Sequence, residues 1–568
     1  MKDILSALPQ GLDFENPELV RGYYEALLNE PVESTESLIN LIERFNAVQL
    51  LLSSRRGEKI VDISVNTTDK SRIESYTEFI NGTYAVKLSL ENKIYDKILR
   101  SAYAGALPTD QYGHFLYVIE QNRKINCPLN VGLLIEEQTL AAGHASITGS
   151  IKVEFDGKTL TLPGLAGYLS ADDETLRKQA WEAYYRAIGE KKDELDILFD
   201  RLVALRDRIA HNAGFDNYND YISIVRQKYG YSDNSLADLR QSVIDHVMPI
   251  VRKYNSIHAT RLGKTKPEPW NLKFDPKKVA PLTILDPDVL IRTAGSVFAE
   301  LDREFGDWFD HMAKTDKLDY ESRVGKAPGM FCVGLPEHKS AFVFANATGS
   351  FDDIPMLAHE CGHAFHVFSM LKSGATLGYD FVLGDVAEFA AQALELIAMD
   401  LWEKFSDDKD RIRDAMAKHY LKILTIIKQA VVADEFQRWV YSEPKHTAGQ
   451  RSEKYLSILE KYDDGVCYDG YADQRALSWY ILPQYFTLPL YFLEYAVAYF
   501  GALAIYMNYE SDRDGAIQAY KSFLAGGFDR PPDDAFKTAW IELNFSGGYI
   551  SGIMSFLERK IESLNKDR

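Results

Sequence analysis

His359-Glu360-Cys361-Gly362-His363 sets two imidazoles four residues apart with a carboxylate between them. In a helix, positions four apart share a face, so both rings can reach one metal ion. Glu360 then lies beside that ion, close enough to take a proton from a water held there. The stretch has the makings of a helix. Asp352-Asp353 offer an N-terminal cap, Pro355 suits a first turn, and Met356, Leu357, Ala364, Phe365, Val367 and Phe368 supply apolar surface.

Two imidazoles do not complete a site. Structural zinc sites fill four positions with protein atoms, whereas catalytic sites use about three. A second helix is expected over Leu383–Glu395, where Asp385, Glu388, Gln392 and Glu395 follow at helical steps and line one face. Its other residues are mostly Ala, Leu, Phe and Val, so the helix reads as buried nearly all round. Buried acids are costly unless a cation or hydrogen bonds meet them. Each acid on that stripe is a candidate third ligand at this point. His366 shares the face of His359 and His363 but comes too soon for the metzincin spacing. It reads as a neighbour of the metal or substrate, or as a core histidine. Cys361 points to the opposite side of the helix and reads as a small buried thiol.

The run His359-Glu-Cys-Gly-His-Ala-Phe-His366, with Glu388 downstream in Asp-Val-Ala-Glu-Phe-Ala-Ala-Gln, resembles the thimet oligopeptidase and oligoendopeptidase F family of zinc metallopeptidases. Gly325-Lys-Ala-Pro-Gly-Met-Phe-Cys-Val-Gly334 and Ser340-Ala-Phe-Val-Phe-Ala-Asn346 resemble that family's strands ahead of the zinc helix. Glu435–Tyr441 and Asp156–Leu162 are similar to further family segments. The likeness runs from about residue 110 to the end and is nearest to bacterial Pz-peptidase-like members.

The resemblance implies a mainly α fold of zincin type: two helical lobes around a substrate channel, with a small β-sheet near the zinc helix. It implies one Zn(2+) per chain, held by His359, His363 and Glu388, with Asp385 and Glu395 steadying ligands. It implies Glu360 as the base that activates water in hydrolysing internal bonds of short oligopeptides. Tyr491 and Tyr495, one turn apart, match the family's tyrosine-bearing helix as donors to the developing charge. The family has a His shortly before that helix, and the best-aligned residue here is Gln484, so either that alignment slips or substrate polarisation differs. The strand carrying Ala341, Val343 and Ala345 is expected to pair with an extended substrate backbone. Gly547-Gly548-Tyr549 reads as a helix end, with Tyr549 a further substrate-side candidate.

These residues need a large scaffold. The chain has 568 residues, 46% of them hydrophobic and 26% charged, an ordinary globular balance. The net charge of −19 and the lack of any basic run exclude a nucleic-acid-binding reading. The start lacks a long apolar core, and the most apolar stretch, Phe492–Met507, carries Glu494 and suits a buried helix rather than a membrane span. Cysteines 127, 332, 361 and 467 form no close pair and imply no disulfide framework. A cytoplasmic protein without membrane partners is expected, its oligomeric state open.

Helical periodicity covers Pro17–Asn29, Ser34–Ser54, Tyr76–Tyr103, Asp172–Asn212, Leu236–Arg261, Asp286–Phe305 and Arg411–Tyr441. A hairpin is expected over Ser150–Leu162 around Asp156-Gly157, and a second strand pair over Met330–Gly334 and Ala341–Asn346. The expected division is residues 1–110 as an amino-terminal helical region, 111–200 as a module bearing the hairpin, and 201–568 as the catalytic domain. Three other readings remain: a zinc carboxypeptidase or dipeptidyl carboxypeptidase of related fold, a peptide-binding protein without catalysis, and a helical scaffold with chance His pairs.

Overall fold

Helical patterning becomes helix nearly everywhere it occurs in a computed structural model, which describes residues 7–9, 13–228, 230–277, 286–380 and 382–565. The Pro17–Asn29 helix begins at its proline, where the Asn16 side chain accepts from the Glu18 and Leu19 amides. The next helix runs further than its apolar stripe, over Thr35–Val65. The stretch expected as one helix over Asp172–Asn212 breaks at Lys191 into Glu174–Glu190 and Lys192–Asn212. The break follows Gly189, the weakest helix former there.

Apolar side chains gather into two main bodies. One joins residues from Val20 to Ile119, the other residues from Ala141 to Ile561. The Thr109–Ile125 helix straddles residue 110, and its Tyr112, Phe115 and Ile119 pack with the amino-terminal body. The two bodies are tied by an Arg55–Glu337 ion pair at 2.8 Å and by Asn46 Nδ2 donating to Thr376 Oγ1 at 3.1 Å.

Strands are few. β1 (Val153–Phe155) and β2 (Lys158–Leu160) form the expected hairpin, with Asp156 and Gly157 both at positive φ. A second sheet contains β3 (Leu318–Glu321), β4 (Phe331–Leu335) and β5 (Ser340–Ala347), in the order β3-β5-β4. β4 and β5 are the antiparallel pair read from the sequence. β3, four residues of mixed polarity, gave no strand signal, and it pairs in parallel with β5.

That added strand corrects one expectation. β5 is central, with Val343 and Phe344 paired on both sides, and Ala341, Val343 and Ala345 are at most 1% exposed. Its backbone has no free edge for a peptide, and the strand on the cleft side is β4. The cap expected at Asp352-Asp353 also differs. Asp352 caps nothing, while the buried Asp353 carboxylate accepts from the amides of Thr348, Gly349 and Ser350 and so braces the loop that enters the helix. The apolar stretch with Glu494 forms the buried helix Phe492–Ser511, and no helix among the described residues is long and apolar enough to cross a membrane.

Candidate functional site

The Asp353–Ser373 helix carries His359, Glu360 and His363, and the Gly384–Ala398 helix carries Asp385, Glu388 and Glu395. The two cross closely because residue 362 is glycine. A Cβ there would lie 2.5 Å from Ala391 Cα and 2.6 Å from the Ala390 oxygen, inside any real contact. This approach brings one donor atom each from His359, His363 and Glu388 within 4.8 Å of one another.

The donor set fits a divalent cation. His359 Nε2 lies 3.5 Å from Glu388 Oε2, and that buried oxygen has no hydrogen-bond donor. The other His359 nitrogen, Nδ1, lies 3.4 Å from Glu395 Oε2. His359 is thus held through Nδ1 and offers Nε2 to the gap, as ligating histidines do. The His363 ring sits by the Ala387 backbone, which favours its protonated form. Burial, with the neighbouring His359 charge, holds His363 well below the usual histidine range, so it is a neutral donor. Burial opposes charge on His359 as well, but Glu395 and the carboxylates of Glu388 and Glu360 raise it to about 9.

Glu360 is on the same helix, 7% exposed, with an unpartnered buried Oε2. Burial pushes its carboxyl up to about 7, His359 drawing it down and Glu388 adding to the rise. Behind the triad, burial disfavours ionised Glu395, yet His419 and His359 outweigh it and hold that carboxyl at about 2. His419 Nε2 approaches Glu395 Oε1 at 2.6 Å. Asp385 accepts from the Tyr231 hydroxyl and from the Val386 amide, at the start of its helix.

Tyr491 donates to Glu388 Oε1 at 2.7 Å, and its ring meets Tyr495 edge-on at 5.3 Å. Both line a cleft of about 670 Å³ together with His359, Glu360, His363 and Glu388. His366 lines it too, with its ring packed against Phe528 at 5.1 Å and its buried Nε2 without a hydrogen-bond partner. Burial lowers it to about 4, so it stays neutral. β4 supplies Phe331 to Gly334 to the cleft wall.

Two expected residues are elsewhere. Gln484 opens a short turn, with its Oε1 buried and unpartnered, and is not among the residues lining the cleft. Tyr549 is half-buried on the Gly547–Asn565 helix, which packs on the Lys409–Ser442 and Phe492–Ser511 helices, and it lies outside that lining as well. His419, Tyr231, Arg226 and Lys228 were not legible as site residues. The partner of each comes from a segment distant in sequence.

The same fold is found in solved structures. One of Pz peptidase A with an inhibitor superposes with a TM-score of 0.86 at 23% identity, covering 98% of this chain and 99% of that one. The sequence matches peptidase family M3 over residues 167–554, and the chain belongs to that family. Among curated relatives, an oligoendopeptidase F homolog of Borreliella burgdorferi is 24% identical over 44% of this chain and 42% of its own length. The group B oligopeptidase PepB of Streptococcus agalactiae is 21% identical over 94% of this chain and 91% of its own.

Proposed function

We propose that the protein is a zinc-dependent endopeptidase that hydrolyses internal bonds of short peptides. The observation that carries this reading is the convergence of His359, His363 and Glu388 beside an unpartnered Glu360 in a cleft, within a chain of family M3. His359, His363 and Glu388 would hold the zinc. When bound, zinc polarises the peptide carbonyl and lowers the pKa of a water beside it.

The protein groups do the rest. Glu360, raised toward neutrality by burial, takes the proton of the attacking water and returns it to the leaving amine. Glu395 orients His359 through Nδ1, and His419 keeps Glu395 charged. Tyr491 and Tyr495 supply hydroxyl donors for the charge that develops on the carbonyl oxygen. Both phenols stay protonated, burial being the largest cause of their raised pKa values. β4, the strand of its sheet that lines the cleft, offers main-chain groups to an extended peptide, giving affinity with weak side-chain preference.

The test compares two versions of one internally quenched peptide of about ten residues, one blocked at both ends and one with a free C-terminus. An endopeptidase cuts both at the same internal bond. Cleavage confined to the free form would establish a carboxypeptidase or dipeptidyl carboxypeptidase instead.

A further inference from the structure

Two arginines line the cleft, Arg56 and Arg226. Arg226 directly follows the Tyr218–Val225 helix and is the nearer to the reacting groups. Its Cζ lies 5.3 Å from the centroid of the Tyr491 ring, and the Tyr491 hydroxyl is 2.7 Å from Glu388 Oε1. Its Nε donates to the Pro489 oxygen at 3.3 Å. Among the described residues, neither terminal nitrogen of its guanidinium has a hydrogen-bond or ion-pair partner.

The segments that meet here are clamped. Lys228 Nζ donates to the Leu490 oxygen, and the Leu490 amide donates to the buried Gln437 Oε1 at 3.1 Å. Gln227 and Leu490, each next to one of the facing residues Arg226 and Tyr491, are both in the left-handed region, at φ 53° and 56°. Side-chain-bearing residues stay in that conformation only where their surroundings enforce it, commonly at functional sites. Two of the three glutamates that line the cleft are otherwise engaged. Glu360 and Glu388 belong to the proposed metal site, and the buried Glu494 feels the positive charge of the half-buried Lys228 first and of Arg226 second, with no direct ion pair to Arg226 among the described residues.

We propose that Arg226 recognises a carboxylate of the substrate, either a free C-terminus or the side chain of an Asp or Glu, close to the bond that is cut. The inference rests on the peptidase reading and narrows its substrate class. A planar fork with two free N–H edges suits a carboxylate held bidentately. The chain carries a net charge of −19, so an anionic peptide needs a local cation of this kind to enter the cleft.

The test uses the zinc-loaded full chain as wild type, Arg226→Gln, Arg226→Lys and Arg56→Gln. The peptides are a neutral one blocked at both ends, the same with a single Glu at each position around the cut, and the neutral one with a free C-terminus. Wild type is expected to favour one anionic set at least about tenfold in kcat/KM, through KM, with the preference shrinking as salt rises. In Arg226→Gln that ratio falls toward one, and Arg226→Lys keeps part of it. Which set is favoured tells a terminal carboxylate from an acidic side chain. A wild type without the preference, or a preference that survives Arg226→Gln or disappears only in Arg56→Gln, overturns the proposal. So does an Arg226→Gln variant that loses rate on every peptide alike, the behaviour of a residue that merely holds Tyr491. If wild type cuts none of the peptides, the peptidase reading fails. Equilibrium binding of the same peptides to wild type and Arg226→Gln then decides the role of Arg226 separately.

Discussion

Gly362 faces Ala391 across the crossing of the two helices that carry the candidate ligands, so closely that a Cβ on residue 362 would sit 2.5 Å from the Ala391 Cα. The neighbours it would strike are backbone atoms that cannot rotate away. Gly362→Ala is therefore expected to part the helices and to cost about 1–3 kcal/mol, the usual range for overpacking. Calorimetry and a zinc titration read the result. A variant with wild-type melting temperature and wild-type zinc affinity would show that the crossing does not set the site.

Glu395 is placed to act through His359. Replacing it by Gln removes the charge opposite Nδ1 while keeping the shape. Zinc affinity is expected to fall by about 10–100-fold, the range for groups that orient a metal's ligands. Competition with a chelator of known affinity measures the change. An unchanged affinity would leave Glu395 as a merely structural acid.

Glu360→Gln cannot accept a proton, yet its side chain is not among the three proposed ligands. It should retain stoichiometric zinc and lose nearly all turnover; peptide hydrolysis near the wild-type rate would assign the base elsewhere.

Tyr491→Phe deletes one hydroxyl donor. A fall in kcat of about a hundredfold is expected from the loss of such a donor. Zinc affinity measured alongside separates this from a weakened Glu388, to which the same hydroxyl donates. A kcat within twofold of wild type would remove Tyr491 from the chemistry.

His114 gives the fold a pH dependence away from the cleft. Burial lowers its pKa from 6.5 to about 4, against the pull of Asp529 and Asp534, and its Nε2 has no partner. Below pH 6.5 the unfolded chain binds the proton more readily than the folded one, so this contribution to stability is complete above 6.5 and is lost as pH falls through about 4. Between pH 7 and 4.5 the melting temperature of wild type should drop further than that of His114→Gln. Equal drops would mean that His114 titrates normally in the folded chain.

The parts of this molecule that follow from short-range pattern were legible in sequence. The two central helices could be read because His359 and His363 repeat at helical spacing and because four polar residues fall on one face of an otherwise apolar segment. Glu494 was legible only as an anomaly in an apolar run, and its neighbour Lys228 lies far away in the chain. β3 escaped because four mixed residues carry no period, and with it went the correct place of β5 in the sheet. His419, Tyr231 and Arg226 escaped for a related reason. Their roles come from tertiary contacts between segments remote in sequence, and no local spacing encodes such a contact.

The central claim is that one zinc ion, held by His359, His363 and Glu388, is required for peptide cleavage. The most direct measurement adds zinc stepwise to the chelated protein and follows hydrolysis of the doubly blocked quenched peptide. Activity absent after chelation, rising in proportion to added zinc and saturating at about one equivalent per chain is the predicted result. Cleavage that survives complete chelation, or that zinc at one equivalent fails to restore, would contradict it.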